Sequence, residues 1–201
     1  MQVRVCRFFY FVLAMAFIFF FATTGVTYAQ DFNGGYIGGT VGMSHYNLEL
    51  NDNDLTFDGI SADGPNFGII GGFGKNIKNN MYVGFEGNFG YNTAEVEIST
   101  ANDNIELEAE DSFGFSGRIG HIVNSWMTYG LVGWQQVSME ASVNNVSDDE
   151  DFNGFRLGIG VEHQIQKEIF LRGEYSCTMY NEEHNFEPTA GNFQLGLGFR
   201  F

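Results

Sequence analysis

Seven charged residues stand in glycine-rich, apolar stretches of the chain: Glu86, Arg118, Arg156, Glu162, Arg172, Glu174 and Arg200. Carboxylates and guanidinium groups tolerate burial when they pair through charge-assisted hydrogen bonds. These residue types therefore predict an ion-pair network in an enclosed space, provided that the fold brings the seven side chains to one face.

The elements that carry these charges are predicted strands, because apolar residues flank the charges at alternate positions. Between residues 152 and 163, for example, Arg156 and Glu162 fall on the face opposite Phe155 and Leu157. Eight segments show such alternation: 35–46, 66–76, 81–91, 112–122, 126–137, 152–163, 169–180 and 192–201. Each has about 10 to 12 residues, which is the length of a tilted strand that crosses a bilayer.

The connections between these segments alternate between short and long. The short ones are 75–80, 124–125 and 164–168, and the long ones are 47–65, 92–111, 138–151 and 181–191. Lysines lie in or beside the short turns, whereas the long connections contain no Lys or Arg and hold most of the acids. This series predicts an all-β fold: an eight-stranded antiparallel up-and-down transmembrane β-barrel with acidic loops at one end.

The apolar face is predicted to contact lipid and the charged face to fill the lumen. An eight-stranded barrel has room inside only for side chains, so the interior is predicted to be plugged and not an open pore. In the fifth segment Met127, Tyr129 and Leu131 suggest one face, but Val132 and Trp134 suggest the other, which a β-bulge would explain.

Residues 1–29 have the layout of a cleaved signal peptide: Arg4 and Arg7, an apolar run at 8–21, and small residues before the cut after Ala29. A retained anchor is the alternative, but the run is shorter than a spanning helix needs. Residues 30–201 are predicted to form one barrel domain. Its 25 acids against seven remaining Lys and Arg (9 − 2) exclude nucleic acid as a partner.

Three stretches resemble the OmpA-like, opacity-type outer-membrane β-barrel family: "GFRLGIGVEHQIQKEIFLRGEYSCTMY" at 154–180, "GFEGNFGYN" at 84–92 and the closing "LGLGFRF". The resemblance implies the outer membrane of a Gram-negative bacterium, with its lipids and lipopolysaccharide as surroundings. It also implies that the last strand is the signal read by the barrel-assembly machinery. The residues of that signal are Phe193, Leu195, Leu197, Phe199 and Phe201.

The predicted function is that of a surface protein with a structural or interaction role in envelope integrity, adhesion or contact with host surface molecules. A small porin-like pore is one alternative, and a haem-binding surface protein that uses His45 and His184 is another. A lipid A-modifying enzyme is a third, but no histidine has a serine two positions away, as the lipid A deacylase type requires. We therefore predict no enzyme activity. We also predict no cofactor and no metal site.

Overall fold

A computed structural model shows eight antiparallel strands closed into a barrel, so the predicted fold class is confirmed. The strands are β1 (Gly34–Asp52), β2 (Leu55–Ile77), β3 (Met81–Ser99), β4 (Asn104–Val123), β5 (Trp126–Val143), β6 (Val146–Gln164), β7 (Ile169–Tyr180) and β8 (Phe186–Arg200). The structure describes residues 32–52, 55–99, 104–143, 146–181 and 186–201, and side chains at 32–47, 63–93, 111–138, 151–181 and 189–201. The predicted signal peptide lies outside these ranges.

Each strand pairs with its neighbour in the chain, and β8 pairs with β1 to close the barrel. Three short turns share one end, which we call the turn end: a 3-10 helix at Lys78–Asn80, Asn124 with Ser125, and residues 165–168. Asn79, Asn80 and Asn124 have positive φ angles, which asparagine tolerates better than most residues. No helix among the described residues is long and apolar enough to cross a membrane.

The stagger of the strands fixes the width of the barrel. Paired residues can be followed from strand to strand around the barrel, starting at Tyr36 of β1. The path returns to β1 at Tyr46, ten residues further along. For eight strands with a rise of about 3.3 Å and a spacing of about 4.8 Å, this stagger gives a tilt of roughly 40°. The interior is therefore only wide enough to be filled by side chains.

The two faces of the strands differ as the alternation predicts. Large apolar side chains such as Phe85, Phe115, Ile119 and Leu195 are exposed around the outer face. A water-soluble protein rarely exposes a continuous apolar surface of this extent. The inner face carries buried polar and charged side chains, so the outer belt suits lipid contact.

The predicted long loops are wrong in their bounds, because the strands continue through most of 47–65, 92–111, 138–151 and 181–191. Between β3 and β4 the register runs from Ala94 opposite Ala109 to Ser99 opposite Asn104. The sequences "EVEIS" and "NIELEAE" alternate acids with apolar residues, and this period of two supports a ladder despite the negative charge. The acids of the far end therefore lie on strand extensions as well as connections.

The bulge considered for the fifth strand is also wrong. The register of β5 with both neighbours is continuous between Trp126 and Val137. Met127, Tyr129 and Leu131 point inward and are buried, whereas Val132 is exposed on the outer face. The change of pattern arises because this part of the lumen has an apolar lining. Among the described strands, register shifts lie near residues 48–50 of β1, 91–94 of β3 and 109–112 of β4, where the extensions begin.

Inward glycines seat the large rings of the lumen. Tyr36 lies opposite Gly72, Tyr129 opposite Gly160, and Phe170 opposite Gly198. In each pair a Cβ on the glycine would collide with the ring across the strand. These glycines therefore fix where the aromatic rings lie in a narrow interior.

Candidate functional site

The seven charges predicted to face the lumen are brought together there, and each is buried. Their ion pairs form one chain of alternating sign, which we call the ion-pair chain. Its order is Arg156, Glu174, Arg172, Glu86, Arg118, Glu162 and Arg200. Each carboxylate lies between two guanidinium groups, so no two like charges are consecutive in the chain.

The central carboxylate, Glu86 of β3, binds the arginines of β4 and β7. Arg118 Nη1 donates to Glu86 Oε2 at 3.1 Å, and Arg172 Nη1 donates to Glu86 Oε1 at 2.9 Å. Arg172 Nη2 makes a second bond to Oε2, so this pair is bidentate. Bidentate arginine–carboxylate pairs hold both side chains in one orientation.

The outer two carboxylates continue the chain toward each end of the barrel. Glu162 Oε2 accepts from Arg118 Nη2 at 3.2 Å, and Glu162 Oε1 accepts from Arg200 Nη2 at 2.6 Å. Glu174 Oε1 accepts from Arg156 Nη2 at 2.7 Å, and its Oε2 lies 3.6 Å from Arg172 Nη1.

Neutral oxygens cap the two terminal arginines. Arg156 Nη1 donates to Asn88 Oδ1 at 3.0 Å and to Gln135 Oε1 at 3.1 Å. Arg200 Nη1 donates to the carbonyl oxygen of Phe32 at 2.6 Å. Both ends of the ion-pair chain therefore contact neutral dipoles. Its four arginines and three glutamates carry a net charge of +1.

Two tyrosines complete the chain, and the sequence reasoning missed them. Tyr36 donates to Glu86 Oε2 at 2.7 Å and accepts from Arg118 Nη1 at 2.9 Å. Tyr129 donates to Glu174 Oε2 at 2.7 Å, while the Arg118 guanidinium lies 3.8 Å above its ring. The alternation of β1 could have revealed Tyr36. It shares a face with small residues and lies on the side of the strand opposite the outward Ile37 and Val41.

Uncharged layers lie on both sides of the ion-pair chain. Toward the turn end, Phe32, Tyr82, Ile122 and Met127 are buried together with the ring of Tyr129. Toward the far end the side chains are amides and hydroxyls, in a layer formed by Ser44, Asn66, Asn88, Asn92, Ser112, Gln135, Asn192 and Gln194. Beyond them Tyr46, Val137, Tyr180 and Ala190 form a buried cluster.

The other predicted site residues lie apart from this network. His45 Nδ1 pairs with Asp63 Oδ1 across β1 and β2 on the outer face. His184, the other haem candidate, lies outside the described residues. The residues of the predicted assembly signal, on β8 and directly after it, are all exposed: Phe193, Leu195, Leu197, Phe199 and Phe201. Among the described side chains, no group of three or more His, Cys, Asp or Glu is placed to hold a metal.

Comparison with known proteins matches this architecture to a family. The sequence model of the outer membrane protein β-barrel domain matches residues 12–201. The chain belongs to the outer membrane protein β-barrel family. Its localisation is therefore the outer membrane of a Gram-negative bacterium, as predicted.

Individual relatives agree with this family assignment. The 31 kDa outer-membrane immunogenic protein of Brucella melitensis is 23% identical over 84% of this chain and 80% of its own length. The 25 kDa outer-membrane immunogenic protein of the same species is 28% identical over 84% of this chain and 78% of its own. The crystal structure of Neisserial surface protein A has the same fold, with a TM-score of 0.56, 14% identity, and coverage of 84% of this chain and 97% of that one.

We expect Glu86→Gln to lower the free energy of unfolding by about 3–5 kcal/mol, because it leaves two buried arginines without their shared carboxylate. Urea unfolding of the barrel refolded into lipid vesicles measures this loss. The matched control is Glu168→Gln in an exposed turn at the turn end, where we expect a change within about 0.5 kcal/mol. Equal unfolding midpoints for the two variants would contradict a stabilising role for the ion-pair chain.

Proposed function

We propose that this outer-membrane barrel is a non-conducting scaffold that presents an acidic extracellular end to molecules outside the cell. The ion-pair chain is the observation that carries the proposal. Seven charged side chains and two tyrosines pair across the width of the lumen, so a permeating ion would have to separate buried, mutually satisfied charges.

The layers above and below the chain support a sealed interior. We place the turn end in the periplasm and the far end outside the cell, because short turns are periplasmic in outer-membrane barrels. The apolar layer formed by Phe32, Tyr82, Ile122 and Met127 offers no polar path at this periplasmic end. Within the described part of the lumen, the cavity in the amide layer has a volume of about 30 Å³, which is room for one or two waters. Such a lumen suits a structural role better than transport.

The charge of the extracellular end supports an interaction role. Segments 48–62, 94–110, 139–150 and 182–188 contain 17 of the 25 acids and no Lys or Arg. A surface of one sign attracts cations and repels like charges over about a Debye length. We infer that this end binds divalent cations that bridge to lipopolysaccharide phosphates, and that it contacts basic surfaces of host molecules. The relatives named as immunogenic proteins are consistent with a surface role.

Single-channel recording in planar bilayers tests the sealed lumen. We expect no resolvable conductance from the wild-type barrel. The double variant Arg118→Ala with Glu162→Ala removes two adjacent members of the chain, and we expect it to show small, discrete openings. Discrete openings of the wild-type protein at the same protein concentration would favour the pore alternative.

Chelation tests the cation bridges at the extracellular end. We expect a chelator to lower the melting temperature of the barrel in vesicles that contain lipopolysaccharide, and to leave it unchanged in phospholipid vesicles. The response should weaken when Glu95, Glu97, Glu106 and Glu108 are replaced by glutamine, since each replacement removes a charge that attracts cations. Equal melting with and without chelator in lipopolysaccharide would contradict this role.

The last strand carries a second part of the proposal, its recognition by the barrel-assembly machinery. The amide of Phe201 donates to the carbonyl of Gly35 at 2.9 Å, next to the closure between β8 and β1. We expect deletion of Phe201 to reduce the amount of barrel inserted in cells but not its refolding into detergent. A loss of refolding in detergent, or normal insertion in cells, would argue against a signal.

A further inference from the structure

The cavity in the amide layer adjoins one end of the ion-pair chain. Arg156 lines it together with Asn66, Asn88, Ser112, Gln135 and Gln194. The Arg156 side chain is only 7% exposed, and its Nε has no hydrogen-bond partner. The Nε atoms of Arg118, Arg172 and Arg200 also lack partners, but these three arginines do not line this cavity. A buried cationic donor therefore borders a small polar cavity.

Three amide oxygens around the cavity accept hydrogen bonds from neighbouring side chains. Asn88 Oδ1 accepts from Arg156, and Gln135 Oε1 accepts from both Arg156 and Asn88. Asn66 Oδ1 accepts from Gln194 Nε2 at 3.1 Å. An amide nitrogen has two hydrogens, and Asn66, Asn88 and Gln194 each commit one of them to these neighbours. Each of these three side chains therefore keeps one further N–H hydrogen that these bonds do not use.

The net charge of the lumen also favours an anion. The described charges of the lumen sum to +1, because Arg156 shares Glu174 with Arg172 and has only neutral caps besides. An uncompensated charge in a low-dielectric interior favours a counter-ion. A volume of about 30 Å³, which is room for one or two waters, is large enough for a monatomic anion.

We propose that this cavity binds one halide ion, chloride under physiological conditions, held by Arg156 and the amide N–H groups of Asn88 and Gln194. The anion neutralises the excess charge of the ion-pair chain. Since the site exists only in the closed barrel, the ion stabilises the folded state by mass action.

Thermal unfolding of the full barrel in lipid vesicles tests this site, with chloride replaced stepwise by gluconate at constant ionic strength. Gluconate carries the same charge as chloride on a much larger molecule, so the comparison separates binding in the cavity from ionic screening. We expect the unfolding temperature to rise with chloride. Above the dissociation constant, each tenfold increase in chloride should raise the folded-to-unfolded ratio about tenfold. Equal unfolding temperatures in the two salts would overturn the proposal.

A fixed carboxylate should replace the bound ion. We expect Gln135→Glu, which places a negative charge beside Arg156, to unfold at a higher temperature than the wild type in gluconate and to lose the chloride response. The matched control, Gln166→Glu in an exposed turn, should keep the wild-type response. A chloride response retained in Gln135→Glu would place the ion elsewhere and overturn the site.

Crystals of the wild-type barrel grown in bromide give a direct measurement that does not depend on a variant folding. We expect an anomalous difference peak in the cavity within hydrogen-bonding distance of Arg156. A cavity that contains ordered water and no anomalous peak would contradict halide binding.

Discussion

The alternation of charge in the ion-pair chain is the constraint on which the rest of the lumen depends. Each of its three carboxylates joins two arginines, so every buried charge has an opposite charge beside it. Buried ion pairs are weak evidence for stability in themselves, because desolvation offsets much of their attraction. Their stronger consequence is specificity. A slip of one residue in any strand of the network would turn a charge to lipid and leave its partner unpaired.

The network connects strands that are distant in the sequence. Glu86 belongs to β3, Arg118 to β4 and Arg200 to β8, while Tyr36 and Tyr129 add β1 and β5. The strand ladder alone joins only neighbours around the barrel, whereas these side chains join opposite walls through the lumen. Glycines opposite the large rings make this geometry fit within eight strands.

The alternation of residue types was enough to predict the fold and the inward face of all seven charges, because side-chain direction in a strand has a period of two. The pairing order was not predictable, since it depends on the stagger that places Arg118 of β4 beside Glu162 of β6. The strand ends within 92–111 differ from the prediction because the alternation continues there with acids in place of small residues, as in Glu95, Val96 and Glu97. Tyr36 and Tyr129 were missed because their apolar rings conceal the role of their hydroxyl groups.

A double-mutant cycle on Glu162 and Arg200 tests the central claim most directly, that the chain is an energetically coupled network. Glu162→Gln, Arg200→Gln and the double variant are compared with the wild type by urea unfolding in lipid vesicles. We predict a coupling free energy of about 1–3 kcal/mol that favours the intact pair. Losses of unfolding free energy that add to within about 0.5 kcal/mol would contradict the coupling and reduce the chain to isolated buried charges.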